Sequence, residues 1–429
     1  MKTHPPSRQR SRDTSDPAYS CARDQFAERG VDVEVALRAL AGIAVSVHCW
    51  QGDDVCGFEN ARGPIGGGLA VTGNHPERAT NAEELRADLD QALALIPGNH
   101  RINLHAMYGD FGNRPVDRDE VAPEHFRTWI AWAAERRLGL DFNPTCFAHP
   151  RAADGFTLSH PDAAVRQFWI THCRRSRAIA AAMGRALHTP CISNVWIPDG
   201  FKDTPADRQG PRERLAESLD AVFQKRYPGD HLRDAVEPKL FGIGAESCTV
   251  GSAEFYFGYA LTRRKMLCLD SGHFHPTESI ADKISSVLQF LPEILLHVSR
   301  GVRWDSDHVI TFGDELLAMT REVVANGLLG RVHFGLDYFD ASINRIAAWV
   351  IGARNLLRAL LIALLEPPGI REAEIAGDRT ARLALQEESR LLPVGAVWNE
   401  HCKRLDVPIG EAWLSDVRRY EIQTRVQRA

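Results

Sequence analysis

Two observations predict an α/β fold, a parallel (β/α)8 TIM barrel with additional C-terminal helices. Short β-branched or aromatic runs alternate with longer stretches of helical period about eight times, the pattern of strands feeding crossover helices. Those runs also end, one after another, on polar or tryptophan residues. In order these are Trp50, His105, Asp141 with Asn143, Trp196 with Asp199, Glu237 with Lys239, Asp270 with His273, His297, and Asp337. Side chains at the carboxyl ends of barrel strands converge on one site, which gives such a placement a purpose.

The expected strands begin with VSVHCW near Val45, RINLHAMY near Ile102, GLDFNP near Leu140 and CISNVWIPDG near Ile192. AVEPKLFGIG, MLCLD, ILLHVSR and VHFGLD follow. Between them, residues 123–137, 162–187, 212–225, 278–290 and 314–326 read as helices. Ile280, Ile284, Val287, Leu288 and Leu291 recur at helical spacing and give one apolar face to lay on a sheet. The most apolar long stretch, residues 345–365, carries Arg354, Asn355 and Arg358 in its middle. Those groups would be stranded in lipid, so a buried amphipathic helix is expected there.

Residues 1–25 read as a disordered or loosely ordered tail, with no apolar core of a secretory signal. Residues 26–370 are assigned to the barrel and 371–429 to a C-terminal helical extension. A Pro-Pro-Gly break after Glu366 precedes helical stretches at 373–402 and 411–425. Extra helices after a complete barrel commonly pack on another subunit, so an oligomer is expected. A Gly-rich segment starting at Gly57, flanked by Val55 and containing Ile65 and Leu69, suggests a lid over the site.

With 429 residues the chain is long enough for one barrel with added helices, or for two smaller domains. A net charge of −5 gives no electrostatic reason to expect nucleic acid or an anionic membrane as partner. The nine cysteines are odd in number and show no CxxC spacing, which argues for free thiols in a reducing cytoplasm.

Carboxylates and imidazoles avoid buried strands unless something offsets their charge. Glu237, Asp270, His297 and Asp337, each from a different late strand, could fix one divalent ion. His273, Asp305 and Asp307 form a second group, whose Asp-Ser-Asp spacing puts both carboxylates on one side of an extended segment. Oxygen-rich ligation without cysteine favours Mn²⁺, Mg²⁺ or Co²⁺ over a structural zinc. Lys239, two residues after Glu237, faces the same side and could polarise a substrate oxygen. Its alternative is a solvated salt bridge. His275 and His308 are weaker candidates.

The strings VHCWQGDDVCGFEN, INLHAMY, LGLDFNPTCFAHP, DGFTLSHPD, NVWIPDG, EPKLFGIGAES, LDSGHFHPTE, HVSRGVRWDSDHV and GLDYFDASINRIAAWVIG closely resemble the bacterial L-rhamnose isomerase family, from about Phe26 to about Glu421. The resemblance implies a cytoplasmic homotetramer that interconverts L-rhamnose and L-rhamnulose in L-rhamnose catabolism. It implies two divalent cations per subunit, usually Mn²⁺, with Zn²⁺, Co²⁺ or Mg²⁺ as alternatives. Glu237, Asp270, His297 and Asp337 correspond to the structural-metal ligands, and His273, Asp305 and Asp307 to those of the catalytic metal. His105, Trp50, Lys239 and Trp196 match positions lining the sugar site.

The chemistry expected is a hydride shift between C1 and C2, with a proton relayed between O1 and O2 by water on the second ion. Lys239 would stabilise charge on oxygen, and His105 with Asp337 would assist ring opening. Val55, Ile65 and Leu69 are candidates for an apolar patch around the 6-deoxy methyl group. Two rivals stand beside this reading: an isomerase of another aldose, and a barrel metallo-hydrolase. A nuclease of the latter kind would need a basic groove that the charge balance does not suggest.

Overall fold

The computed structural model describes residues 16–59, 73–112, 115–242, 244–303 and 307–428. Eight strands form the sheet: β1 (Val45–His48), β2 (Arg101–His105), β3 (Gly139–Asn143), β4 (Cys191–Val195), β5 (Leu232–Val236), β6 (Met266–Asp270), β7 (Ile294–Val298) and β8 (Val332–Leu336). Parallel main-chain ladders join them in the order β3-β2-β1-β8-β7-β6-β5-β4. Pairing of β1 with β8 rolls the sheet, and the order ends on two strands that are neighbours in sequence. The (β/α)8 expectation holds. Most strand positions are buried on both faces, as they must be when helices cover a parallel sheet.

Side chains bridge the joint between β3 and β4. Asp141 Oδ1 accepts from the Ile192 amide at 2.8 Å, and Asn143 Oδ1 accepts from the Asn194 amide at 3.1 Å. Asp141 also accepts from Ser46 Oγ at 2.6 Å and takes a two-pronged bond from Arg101, at 2.9 and 2.8 Å. This corrects the sequence reading of Asp141 as a strand-end site residue. It lies mid-strand, turned toward the first residue of β2.

Helices wrap the barrel in chain order: α1 (Pro17–Ala27), α2 (Val33–Ala41), α3 (Ala82–Leu93), α4 (Arg127–Arg136), α5 (Ala163–Leu187), α6 (Gln209–Phe223), α7 (Ala253–Arg263), α8 (Ile280–Val287), α9 (Asp314–Ala325) and α10 (Arg345–Leu364). The last is long and apolar enough to cross a membrane, but 83% of its apolar window is buried inside the fold. Its polar residues find carbonyl partners there. Arg354 donates to Leu95 O at 2.9 Å and Pro408 O at 3.0 Å, and Asn355 donates to Ile310 O at 2.9 Å. It is a core helix, packed on α2, α3 and α9.

The tail boundary at residue 25 needs correction, because α1 begins at Pro17 under an Asp16 cap. Tyr19, Ala22 and Phe26 recur at helical spacing and are buried. Charged neighbours hide that spacing in the sequence. Contacts with α13 (Val394–Arg404) hold the helix, with the Arg404 guanidinium 5.3 Å from the Tyr19 ring. The stretch expected as one helix over 373–402 is instead α11 (Pro368–Ile375), α12 (Arg379–Ser389) and α13. Gly377, in the left-handed region at φ 75°, makes the first break. The chain closes with α14 (Trp413–Gln427).

Candidate metal centre and active site

Four successive strands each deliver one ligand-type side chain to the carboxyl end of the barrel. Glu237 follows β5 and extends its ladder, donating its amide to Val195 O at 3.0 Å. Asp270 ends β6, His297 lies in β7, and Asp337 follows β8. Register aligns Asp270 with His297, and His297 with Gly335. A side chain at Gly335 would put its Cβ 2.9 Å from the His297 ring, so glycine there leaves room for the imidazole.

One ligand atom from each of Glu237, Asp270, His297 and Asp337 lies within 4.8 Å of the others. His297 Nδ1 stands 3.6 Å from Glu237 Oε2, 3.5 Å from Asp270 Oδ2 and 3.1 Å from Asp337 Oδ2. Ligands about 2.1 Å from one ion are separated by roughly 3–3.5 Å, so these edges suit a single cation. A second group, Asp270, His273 and Asp307, shares Asp270 with the first. His273 Nδ1 is 3.0 Å from Glu237 Oε1, and its Nε2 is 3.8 Å from Asp307 Oδ2. Gly272 clears this space, since a Cβ there would come within 2.3 Å of Asp307 Oδ1. Asp305 lies outside the described residues.

The donor set fits a divalent cation. Both ring nitrogens of His297, together with Glu237 Oε1 and Asp270 Oδ2, are buried without a hydrogen bond. Their partner oxygens are already committed: Asp270 Oδ1 accepts from the Gly272 amide at 2.6 Å and Ser299 Oγ at 2.9 Å, and Glu237 Oε2 accepts from Asn194 Nδ2. The free atoms of Asp270 and His297 face each other at 3.5 Å, and the free Glu237 Oε1 faces the His273 imidazole at 3.0 Å. Burial pushes the Asp270 and Asp337 carboxyls above their ordinary values. Burial would also raise Glu237, but the His297 and His273 imidazoles outweigh it and hold that carboxyl low. So much negative charge in a dry pocket is relieved only by protons or a cation.

Rings line the approach. Trp50 Nε1 donates to Asp337 Oδ1 at 3.1 Å, and the indole meets the His105 ring at 4.7 Å. His105 packs on Phe147 at 5.5 Å, Phe147 on Trp196 at 5.9 Å, and Lys239 Nζ lies 5.7 Å from the Trp196 ring. Burial, helped by Arg118, pulls the His105 imidazole down to about 3, so it is neutral at physiological pH. Its Nδ1 sits 3.3 Å from Thr145 Oγ1.

The structure thus brings Trp50, His105, Trp196, Lys239, Glu237, Asp270, His273, His297, Asp307 and Asp337 to one end of the barrel. Val55 is 2% exposed, with its amide on Trp50 O at 3.1 Å. Ile65 and Leu69 lie outside the described residues. Asp199 instead accepts hydrogen bonds from Thr157 and Ser159 and staples a loop. Sequence reasoning missed Thr145, Phe147 and Cys268. Cys268 sits within 4.8 Å of Glu237 and His297, and its position two residues before Asp270 on the same strand was the available signal.

Comparison with known proteins gives the family. The family model for L-rhamnose isomerase (RhaA) matches residues 14–428. An L-rhamnose isomerase of Rhodopirellula baltica is 60% identical over 413 residues, covering 96% of each chain. One from Salmonella paratyphi B is 60% identical over 405 residues, covering 94% of this chain and 96% of its own. Among solved structures, L-ribulose 3-epimerase aligns at TM-score 0.49 and 12% identity, over 79% of this chain and 99% of that one. A match of this depth along nearly the whole length leaves one conclusion: the chain belongs to the L-rhamnose isomerase family and is an isomerase.

Proposed function

We propose that the protein is a metal-dependent aldose–ketose isomerase that interconverts L-rhamnose and L-rhamnulose by a hydride shift between C1 and C2. The observation that carries the metal dependence is the cluster of Glu237, Asp270, His297 and Asp337, whose ligand atoms lie within 4.8 Å of one another while the buried Asp270 Oδ2 and both His297 ring nitrogens have no hydrogen bond. Bound there, two divalent cations, Mn²⁺ by preference, would polarise the sugar carbonyl and offset charge on its oxygens. Glu237, Asp270, His297 and Asp337 would hold one, and His273, Asp305 and Asp307 the other.

The chain's own groups do the rest. Neutral His105 can accept the anomeric hydroxyl proton as the ring opens, with Asp337 beside it through Trp50. Trp50, Phe147 and Trp196 present flat apolar faces to the sugar and thin the water around it. As the electron pair of the C2–H bond moves to C1, O2 gives up its proton and O1 gains one. Lys239, poised over Trp196, stabilises the negative charge that grows on oxygen. Val55, Ile65 and Leu69 would surround the 6-deoxy methyl, a discrimination of about 1–3 kcal/mol.

A cytoplasmic homotetramer is part of this reading. All nine cysteines are free, and α11 and α12 expose Ile375, Leu383 and Leu385, with Leu391 just beyond, apolar surface that a second copy could cover.

The test is ketose formation from L-rhamnose after chelation and resupply of Mn²⁺, run in deuterated water. Activity should vanish and return, with no solvent deuterium on product carbon. Turnover that survives complete metal removal would sink the metal dependence. Deuterium at carbon would replace the hydride shift with an enediol route.

A further inference from the structure

The turn after β3, residues 144–147, lies past the last rung of its ladder, yet it carries two groups that face the candidate active site. Thr145 Oγ1 is 3.3 Å from His105 Nδ1, and the Phe147 ring packs between His105 and Trp196, at 5.5 and 5.9 Å. Main-chain polar groups outside a ladder need other partners to hold one geometry. Two buried side chains from distant segments supply them.

Arg118 donates through Nη1 to Thr145 O and to Phe147 O, the latter at 3.1 Å. His172 of α5 accepts the Thr145 amide on Nε2 at 2.9 Å, and its Nδ1 faces Arg118 O at 2.8 Å. An amide only donates and a carbonyl only accepts, so the His172 ring is neutral with its hydrogen on Nδ1. Burial first, and the Arg118 charge second, pull that imidazole down to about 3, which keeps it so.

Arg118 is 2% exposed, where a cation is stable only if its donors are met. Its Nε pairs with Glu59, 2.6 Å from each carboxylate oxygen, which leaves the rest of the guanidinium for the turn. Packing alone asks for no charge here, since an apolar side chain would fill the space without desolvation. What the guanidinium adds is a fixed direction for two carbonyls.

We propose that Arg118 and His172 are positioning residues of the sugar site, a clamp that fixes the turn so that Thr145 and Phe147 hold the His105 ring in place for proton transfer. Both act through the turn. The proposal rests on the reading of His105 as the group that takes the proton in ring opening.

The test uses the full-length protein labelled with para-fluorophenylalanine, the Phe147 fluorine line being assigned by its loss in Phe147→Leu. Arg118→Lys keeps the charge but not the planar fork, and His172→Leu removes the acceptor. In both, the Phe147 line should shift or split, and kcat on L-rhamnose should fall about 10–100-fold with KM nearly unchanged. His172→Gln, whose amide can accept from Thr145 and donate to Arg118 O, should restore a single line and most of the rate. A folded Arg118→Lys with either the line or kcat at its wild-type value would overturn the proposal, whether or not His172→Leu folds. So would a folded His172→Gln as impaired as His172→Leu. Wild type that left L-rhamnose unchanged would sink the reading of the reaction, and the fluorine line would still decide whether the clamp sets the turn.

Discussion

Replacing Asp141 with alanine should destabilise the protein by at least about 3 kcal/mol. The Asp141 side chain is 5% exposed and that of Arg101 17%, joined at 2.8 and 2.9 Å. Burial alone would raise the Asp141 carboxyl, but Arg101 outweighs it and holds it ionised below its ordinary value. Removing one partner of a buried pair costs about 3–5 kcal/mol, because the other charge stays behind. The Ile192 amide would also lose its acceptor, a loss of about 1–3 kcal/mol. These terms share one carboxylate and do not simply add. Arg101 keeps three other acceptors, Thr189 Oγ1, Leu140 O and Pro190 O, which favours the lower end of the range. Asp141→Asn retains an acceptor for Ile192 and should cost roughly half as much. Urea unfolding followed by tryptophan fluorescence gives the ranking, and hydrogen exchange at the Ile192 amide should rise in the alanine variant first. An alanine variant within about 1 kcal/mol of wild type would refute the reasoning, since that is what an exposed ion pair is worth.

Gly184→Ala in α5 should cost about 1–3 kcal/mol or more in the same assay, because the new Cβ would stand 1.9 Å from His231 O, a main-chain atom that cannot swing aside. Trp50→Phe keeps the ring but deletes the donor to Asp337 Oδ1, so Mn²⁺ affinity measured by titration should fall about 10–100-fold with the fold intact. Arg404, then Tyr19, hold the Glu34 carboxyl at about 2 in the folded chain. The lowered value means that its stabilisation is complete above the ordinary 4.5 and is lost as pH falls toward 2. Glu34→Gln should therefore flatten the acid limb of a pH–stability curve over that window. The partly exposed pair limits the effect to about 1 kcal/mol.

The clustering of Glu237, Asp270, His297 and Asp337 was legible because its chemistry contradicts its setting. Asp270 and His297 stand at the ends of otherwise apolar runs, where buried charge needs a proton or a cation to offset it. Asp141 shows the limit of the same rule. It follows an apolar residue just as Asp270 does, but β3 continues to Asn143, so the carboxylate sits mid-strand beside Arg101. Where a strand stops depends on its partners, which a one-dimensional pattern does not contain. Thr145 and Phe147 escaped notice because they lie past β3, where no periodicity marks which loop residues turn inward. Arg118 and His172 meet only in the folded barrel, and nothing local in either segment announces the other.

The joint between β3 and β4 gives this barrel an uneven vulnerability to inheritance. Its other seven joints are written in amides and carbonyls that nearly every residue carries, so most codon changes leave them intact. This one is spelled by the side chains of Asp141 and Asn143, and a single nucleotide can erase either letter. The four strands that carry the ligands, β5 to β8, form an unbroken run outside it. A lineage drifting at the joint would lose the cylinder before it lost the candidate metal centre. Destabilised but catalytically intact variants should therefore be commoner at this joint than anywhere along the ligand-bearing quartet.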